Sequence, residues 1–273
     1  MFLPFLLSLL LSTAHAAKSE PSSEKLPPCY SSKEFITALE FLRSQKQFDL
    51  SEEQSRKTAE SVAQSCLQKG ADREGTAKRF IRITELLVKA GLTSKNAIET
   101  ALEFSARTDA ETEAFITIFR YAFLKDYLDL DMFASMNMAK RLSMDFKGNT
   151  KTAVSDFEKI VKFCASEKYL DLPRPQCGET AARLAKLGEN EPRGVAEAWI
   201  SSYEFLRSQK KGPGLATVNA LELSEELLNK YGTVGLDNFS HAFRYAINKK
   251  GLDMSNDEAL KFARKMAELT QTQ

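Results

Sequence analysis

The chain has 273 residues, 43% of them hydrophobic and 27% charged, and its 38 Lys and Arg against 37 Asp and Glu leave a formal charge of +1. That is ample apolar material for a core, while so small a net charge gives no electrostatic basis for a nucleic-acid or anionic-membrane partner. The two histidines, one of them at position 15, exclude a histidine-rich zinc centre.

The first segment, residues 1–16, is apolar from Phe2 to Leu11 and ends in Ala14-His15-Ala16, with no Lys or Arg ahead of the apolar run. An apolar run before a small-x-small site predicts a secretory signal peptide cleaved after Ala16. The run is far short of the ~20 residues that a spanning helix needs, so no integral membrane span is expected after cleavage. Residues 17–31, including the three prolines between Lys18 and Pro28, predict a flexible polar tether. The expected product is a secreted or periplasmic protein whose residues 32–270 form a single elongated helical domain.

Phrases recur along that domain. EFLRSQK occurs at Glu40–Lys46 and Glu204–Lys210, FRYA at Phe119–Ala122 and Phe243–Ala246, and YLDL at Tyr127–Leu130 and Tyr169–Leu172. The offsets of 164, 124 and 42 residues approximate four, three and one periods of about 41, the mark of a repeat array. One apolar anchor per copy aligns the copies: Phe48, Leu92, Leu128, Leu170, Leu215 and Leu252. Helical periodicity flanks each anchor, and Phe35, Phe80, Phe115, Phe157, Trp199 and Phe239 open the first helix of each copy, where they read as core between neighbours. The residues after the anchors, Asp49, Thr93, Asp129, Asp171, Ala216 and Asp253, are mostly good N-caps and are expected to start the second helices. The predicted fold is all-α: a right-handed α-solenoid-like array of about six antiparallel hairpins, or roughly twelve helices. Its outline is similar to tetratricopeptide-like and HEAT-like arrays, without the tetratricopeptide Trp/Leu-Gly/Tyr pattern.

The cysteines test the hairpins. Cys29 and Cys66 lie 19 before and 18 after the anchor Phe48, and Cys164 and Cys177 lie six before and seven after Leu170. Positions equidistant from a turn come level on antiparallel legs, which predicts disulfides Cys29–Cys66 and Cys164–Cys177. The absence of CxxC or a zinc spacing favours structural bridges over a redox or metal role.

Catalytic motifs are absent. His241 stands in a helix with no nucleophile motif beside it, and no G-x-S-x-G, P-loop, G-x-G-x-x-G or EF-hand pattern occurs. Asp126, Asp129 and Asp131 cluster at one turn but lack the calcium-loop glycine and terminal Glu. No cofactor and no enzymatic activity are expected. The alternative is a carboxylate-based, glycan-cleaving cell-envelope enzyme with its site in a concave groove; Glu60-Ser61 resembles the dipeptide that opens the motif of murein lytic transglycosylases, and nothing around it extends the match.

The preferred function is a protein-binding scaffold or adaptor with a protein or peptide partner, because arrays expose equivalent positions along one surface. The candidate partner-binding residues are Met132, Phe133, Met136 and Met138 in MFASMNM, which read first as mid-array core and second as an adaptable surface, together with Arg120 and Arg244. The last two belong to a row one residue before the mid-helix aromatic: Glu40, Thr84, Arg120, Lys162, Glu204 and Arg244. An insertion, Lys211-Gly212-Pro213-Gly214, lengthens the turn of the fifth copy.

Overall fold

The structure, a computed structural model, describes residues 30–65, 75–166 and 172–269. Those residues form eleven helices and no strand: α1 Ser32–Ser44, α2 Glu52–Gln64, α3 Thr76–Lys89, α4 Ser94–Ser105, α5 Asp109–Phe123, α6 Met132–Asp145, α7 Thr150–Ala165, α8 Arg174–Gly188, α9 Ala196–Arg207, α10 Thr217–Ile247 and α11 Asn256–Glu268. The all-helical class is as the periodicity predicts. The expected twelfth helix lies within α10, which is two helices joined at a kink. Gly232 takes φ 65°, ψ −167°, a conformation open only to glycine, and the chain becomes helical again at once without a loop. The stretch before Gly232 serves as the second helix of copy five and the stretch after it as the first of copy six.

Consecutive helices pair as hairpins, α1 with α2 through α7 with α8, then α9 and α11 each with α10. The legs are antiparallel. The Ser31 amide at the start of α1 donates to the Ala63 carbonyl near the end of α2 (3.3 Å), and a disulfide joins Cys164 at the end of α7 to Cys177 at the start of α8, with Cα atoms 6.0 Å apart. The second expected bridge, Cys29–Cys66, lies outside the described residues, as do the anchor Leu170 and Asp171. Successive first helices stack directly, α1 on α3, α3 on α5, α5 on α7 and α7 on α9, whereas the second helices approach one another far less.

The opening aromatics are the core of that stack. Phe80, Phe115, Phe157, Trp199 and Phe239 are fully buried, and Phe35, in the first copy, is half-buried. The anchors Phe48, Leu92 and Leu128 are buried too, Leu215 is half-buried, and Leu252 is exposed.

The aspartates after the anchors do something other than cap. Asp49, Asp129 and Asp253 adopt left-handed φ angles of 48°, 50° and 49°. The N-caps come two residues later: Ser51, Asp131 and Ser255 accept from the amides of Gln54, Ala134 and Glu258. Aspartate suits both jobs, since its short side chain tolerates the left-handed region as well as capping free amides. Copies three and six build this turn identically. Leu128 and Leu252 donate to the carbonyls of Tyr121 and Tyr245, Asp129 and Asp253 to those of Leu124 and Asn248, and Leu130 and Met254 to those of Ala122 and Ala246.

Side chains one residue before the opening aromatics lock copy to copy. The Glu34 carboxylate accepts from the Ala77 amide at the start of α3 (2.6 Å). Arg79, fully buried, donates to the Ser105 carbonyl (3.1 Å) and to Asp109 (2.8 Å). Asp156, also buried, accepts from the amides of Val195 (2.8 Å) and Ala196 (3.2 Å) at the start of α9. Burial pushes the Asp156 carboxyl above its usual range, opposed by those two amides. Gly188 and Gly194 leave no room for a Cβ against this carboxylate, so glycine is required where it seats. Free amides at a helix start need such acceptors, and supplying them from the preceding copy fixes the stacking register.

Candidate functional site: the exposed row of the first helices

The candidate partner residues do not come together. Met138 is buried, with its Sδ and Cε facing Gly178, Met132 and Met136 are half-buried, and Met136 Sδ lies 3.7 Å from the Thr100 hydroxyl. Of the four named residues only Met138 belongs to the core, and Phe133 stays exposed, at 62%. Arg120 and Arg244 are exposed on first helices, at equivalent positions three copies apart.

Their row needs one correction. Thr84 is fully buried, its hydroxyl donating to the Phe80 carbonyl (2.8 Å). Counting five residues from the opening aromatic instead of one back from the mid-helix aromatic gives Glu40, Glu85, Arg120, Lys162, Glu204 and Arg244, all exposed. Copy two has Leu86 where other copies carry an aromatic, so the aromatic was an unreliable marker, and the helical count was the signal that would have found Glu85.

Two row members lie over an aromatic ring of the preceding copy. The Arg244 guanidinium lies 4.9 Å from the Phe205 ring centroid, and the Lys162 ammonium 5.5 Å from that of Tyr121, both within cation–π range. Lys162 is further engaged by Glu158, which also accepts from the Tyr121 hydroxyl (2.6 Å). Glu158, and then Tyr121, hold the lysine well above its usual pKa.

Two grooves open along this row at matching positions. One, of about 320 Å³ between α9 and the second half of α10, is lined by Ser201, Glu204, Phe205, Ser208, Lys211 and Arg244. The other, of about 160 Å³ between α3 and α5, is lined by Arg82, Glu85, Leu86, Lys89, Ile116 and Arg120. Each sets a carboxylate of one copy, Glu85 or Glu204, near an arginine of the next, with a lysine at the far end. Arg82 pairs with Glu113 (2.5 Å). Lys89, Arg120 and Lys211 form no side-chain hydrogen bond or ion pair among the described residues, and Arg244 forms only its ring contact.

A further cavity, of about 390 Å³, opens instead on the second-helix face between α6 and α8. Its cations are already bonded: Arg141 to Glu179 (2.8 Å), Arg183 to Glu225 (3.0 Å), and Lys186 to Glu189 (2.6 Å). Lys140–Glu103 and Arg264–Glu226 continue the same ladder. Burial pushes Glu189 up, but Lys186 and the amides of Gly148 and Lys147 outweigh it and hold its carboxyl below the usual range. Charges satisfied in this way offer little to a ligand.

No group of three or more His, Cys, Asp or Glu side chains suited to a metal occurs among the described residues, and none of their helices is long and apolar enough to cross a membrane. His241 is exposed. Glu60 is ion-paired to Arg56, and the Ser61 hydroxyl donates back to the Lys57 carbonyl (3.0 Å), so the Glu-Ser dipeptide serves α2 itself. No family model matches the chain, and no curated protein or solved structure matches it either.

Proposed function

We propose that this chain is an exported helical-repeat protein that docks a protein or peptide partner on the exposed row of its first helices. The observation that carries the reading is the contrast between the sites: the cations of the α6–α8 cavity are bonded to carboxylates, while Arg120 and Arg244 stand beside grooves without an ion-pair partner. Aligned, unpaired charge on a rigid stack is what electrostatic docking requires. The stacking of first helices supports the solenoid reading, and the backbone bond from Ser31 to Ala63 brings together positions two and three residues from Cys29 and Cys66, in favour of their pairing.

Export is tested by fractionation with intact mass: a chain beginning at Ala17 in the envelope or the medium supports it, and recovery of only the full-length chain in the cytosol overturns it. Docking is tested by affinity capture from an envelope fraction, comparing wild type with Arg120→Glu/Arg244→Glu. A bound protein that is lost in the variant, with the helical circular-dichroism signal intact, is the expected result. Identical capture by both proteins would remove these grooves from the function.

A further inference from the structure

The two grooves are equivalent in construction. Arg120 and Arg244 are 124 residues apart, the offset that also relates FRYA to its twin, and each stands one copy beyond a groove carboxylate, Glu85 or Glu204. Leaving out Arg82, which Glu113 engages, each groove holds two cations and one carboxylate, Lys89, Arg120 and Glu85 in one, Lys211, Arg244 and Glu204 in the other.

That charge set selects among ligands. The excess positive charge seats an anion, with arginine suited to bidentate carboxylate recognition. A carboxylate inside each groove repels a continuous polyanion such as nucleic acid or an anionic membrane. It accepts readily from an amide or hydroxyl donor, which a peptide backbone supplies beside its own acidic side chain. Between the grooves, Lys162 is engaged by Glu158 and Tyr121, so the middle of the row offers less free charge than its ends.

We infer that the grooves beside Arg120 and Arg244 bind one extended acidic peptide segment at two points, with a neutral spacer crossing copy four. This rests on the docking reading and adds the chemistry of the partner. Helices pack about 8–10 Å apart, so three copies span roughly 25–30 Å. An extended chain advances about 3.3 Å per residue, which places the two acidic clusters about eight or nine residues apart. Bivalent engagement lets two weak contacts act as one stronger one, through effective concentration.

The test is fluorescence anisotropy on the oxidised mature protein with three labelled peptides. The first carries two Asp-Glu clusters separated by eight Ser/Thr residues, the second the same clusters separated by two, and the third a single cluster. The first should bind at least about tenfold more tightly than the other two. Arg120→Glu and Arg244→Glu should each reduce it to single-cluster affinity, with helical signal and melting temperature unchanged. Equal affinity for all three peptides, no binding of the first, or equal binding of a single-stranded oligonucleotide or phosphatidylglycerol vesicles that competes with it would each overturn the inference. Should it fall while envelope capture still depends on Arg120 and Arg244, the docking reading stands with a different partner chemistry; should capture ignore those residues too, both fall.

Discussion

The α6–α8 cavity on the second-helix face and the two grooves on the first-helix face are built from similar side chains and treat charge differently. On the second-helix face, residues about one period apart close on each other, as in Arg141–Glu179 and Arg183–Glu225. On the first-helix face, the helices stack so closely through Phe80, Phe115, Phe157 and Trp199 that the row lies over the neighbouring ring, as Arg244 lies over Phe205. Pairs also close between first helices, as in Arg82–Glu113 and Lys159–Glu197, but Arg120 and Arg244 stay unpaired beside their grooves. The same repeat thus yields one cavity whose cations are satisfied and two grooves with open bonding capacity.

The largest expected effect strikes what holds the two faces in register. Asp156→Ala leaves the amides of Val195 and Ala196 without their acceptor in a buried site, which should lower stability by about 2–4 kcal/mol in denaturant unfolding. A loss under 1 kcal/mol would show that copy-to-copy capping does not set the stack. Next comes the ladder. Arg183→Ala, which breaks an exposed pair with Glu225, should lose no more than about 1 kcal/mol. Arg120→Ala should move stability by less than about 0.5 kcal/mol, and a larger loss from Arg120 would mean that its face is structural after all.

The smallest effect is in the pH dependence. Lys230 first, and then Arg264, against an opposing push from burial, hold the Glu226 carboxyl below the usual range of a glutamate. A lowered folded-state pKa gives stability that is present above the unfolded value and lost as pH falls through the folded one. Thermal melts of wild type should therefore decline as pH drops below about 4.5, and Glu226→Gln should decline less over the same window. Parallel curves would mean that the ladder contributes nothing measurable.

Much of this was legible in the sequence because periodicity and repeats report on burial. The opening aromatics, the hairpin turns and the Cys164–Cys177 bridge follow from spacing alone. What was not legible depended on atoms that sequence does not place. Aspartate favours both an N-cap and a left-handed turn, so Asp49, Asp129 and Asp253 fit either position, and only their backbone angles separate the two. That Gly232 alone separates two helices, with no loop, depends on a backbone conformation that composition does not reveal. Thr84 was placed in the charged row because its neighbour stood where other copies carry an aromatic. In the polar half of EFLRSQK, Arg43 pairs with Glu52 on α2 and its twin Arg207 donates to the Leu215 carbonyl in the turn before α10 (2.7 Å), so each arginine ties its helix end to the chain beyond.

The most direct test of the central claim sets the two faces against each other. Binding of the two-cluster acidic peptide is measured by anisotropy for Arg120→Glu/Arg244→Glu and for Arg141→Glu/Arg183→Glu, both shown to be folded. The first pair should weaken binding at least about tenfold and the second less than about twofold; equal losses from both, or a greater loss from the second pair, would contradict the assignment of recognition to the first-helix face.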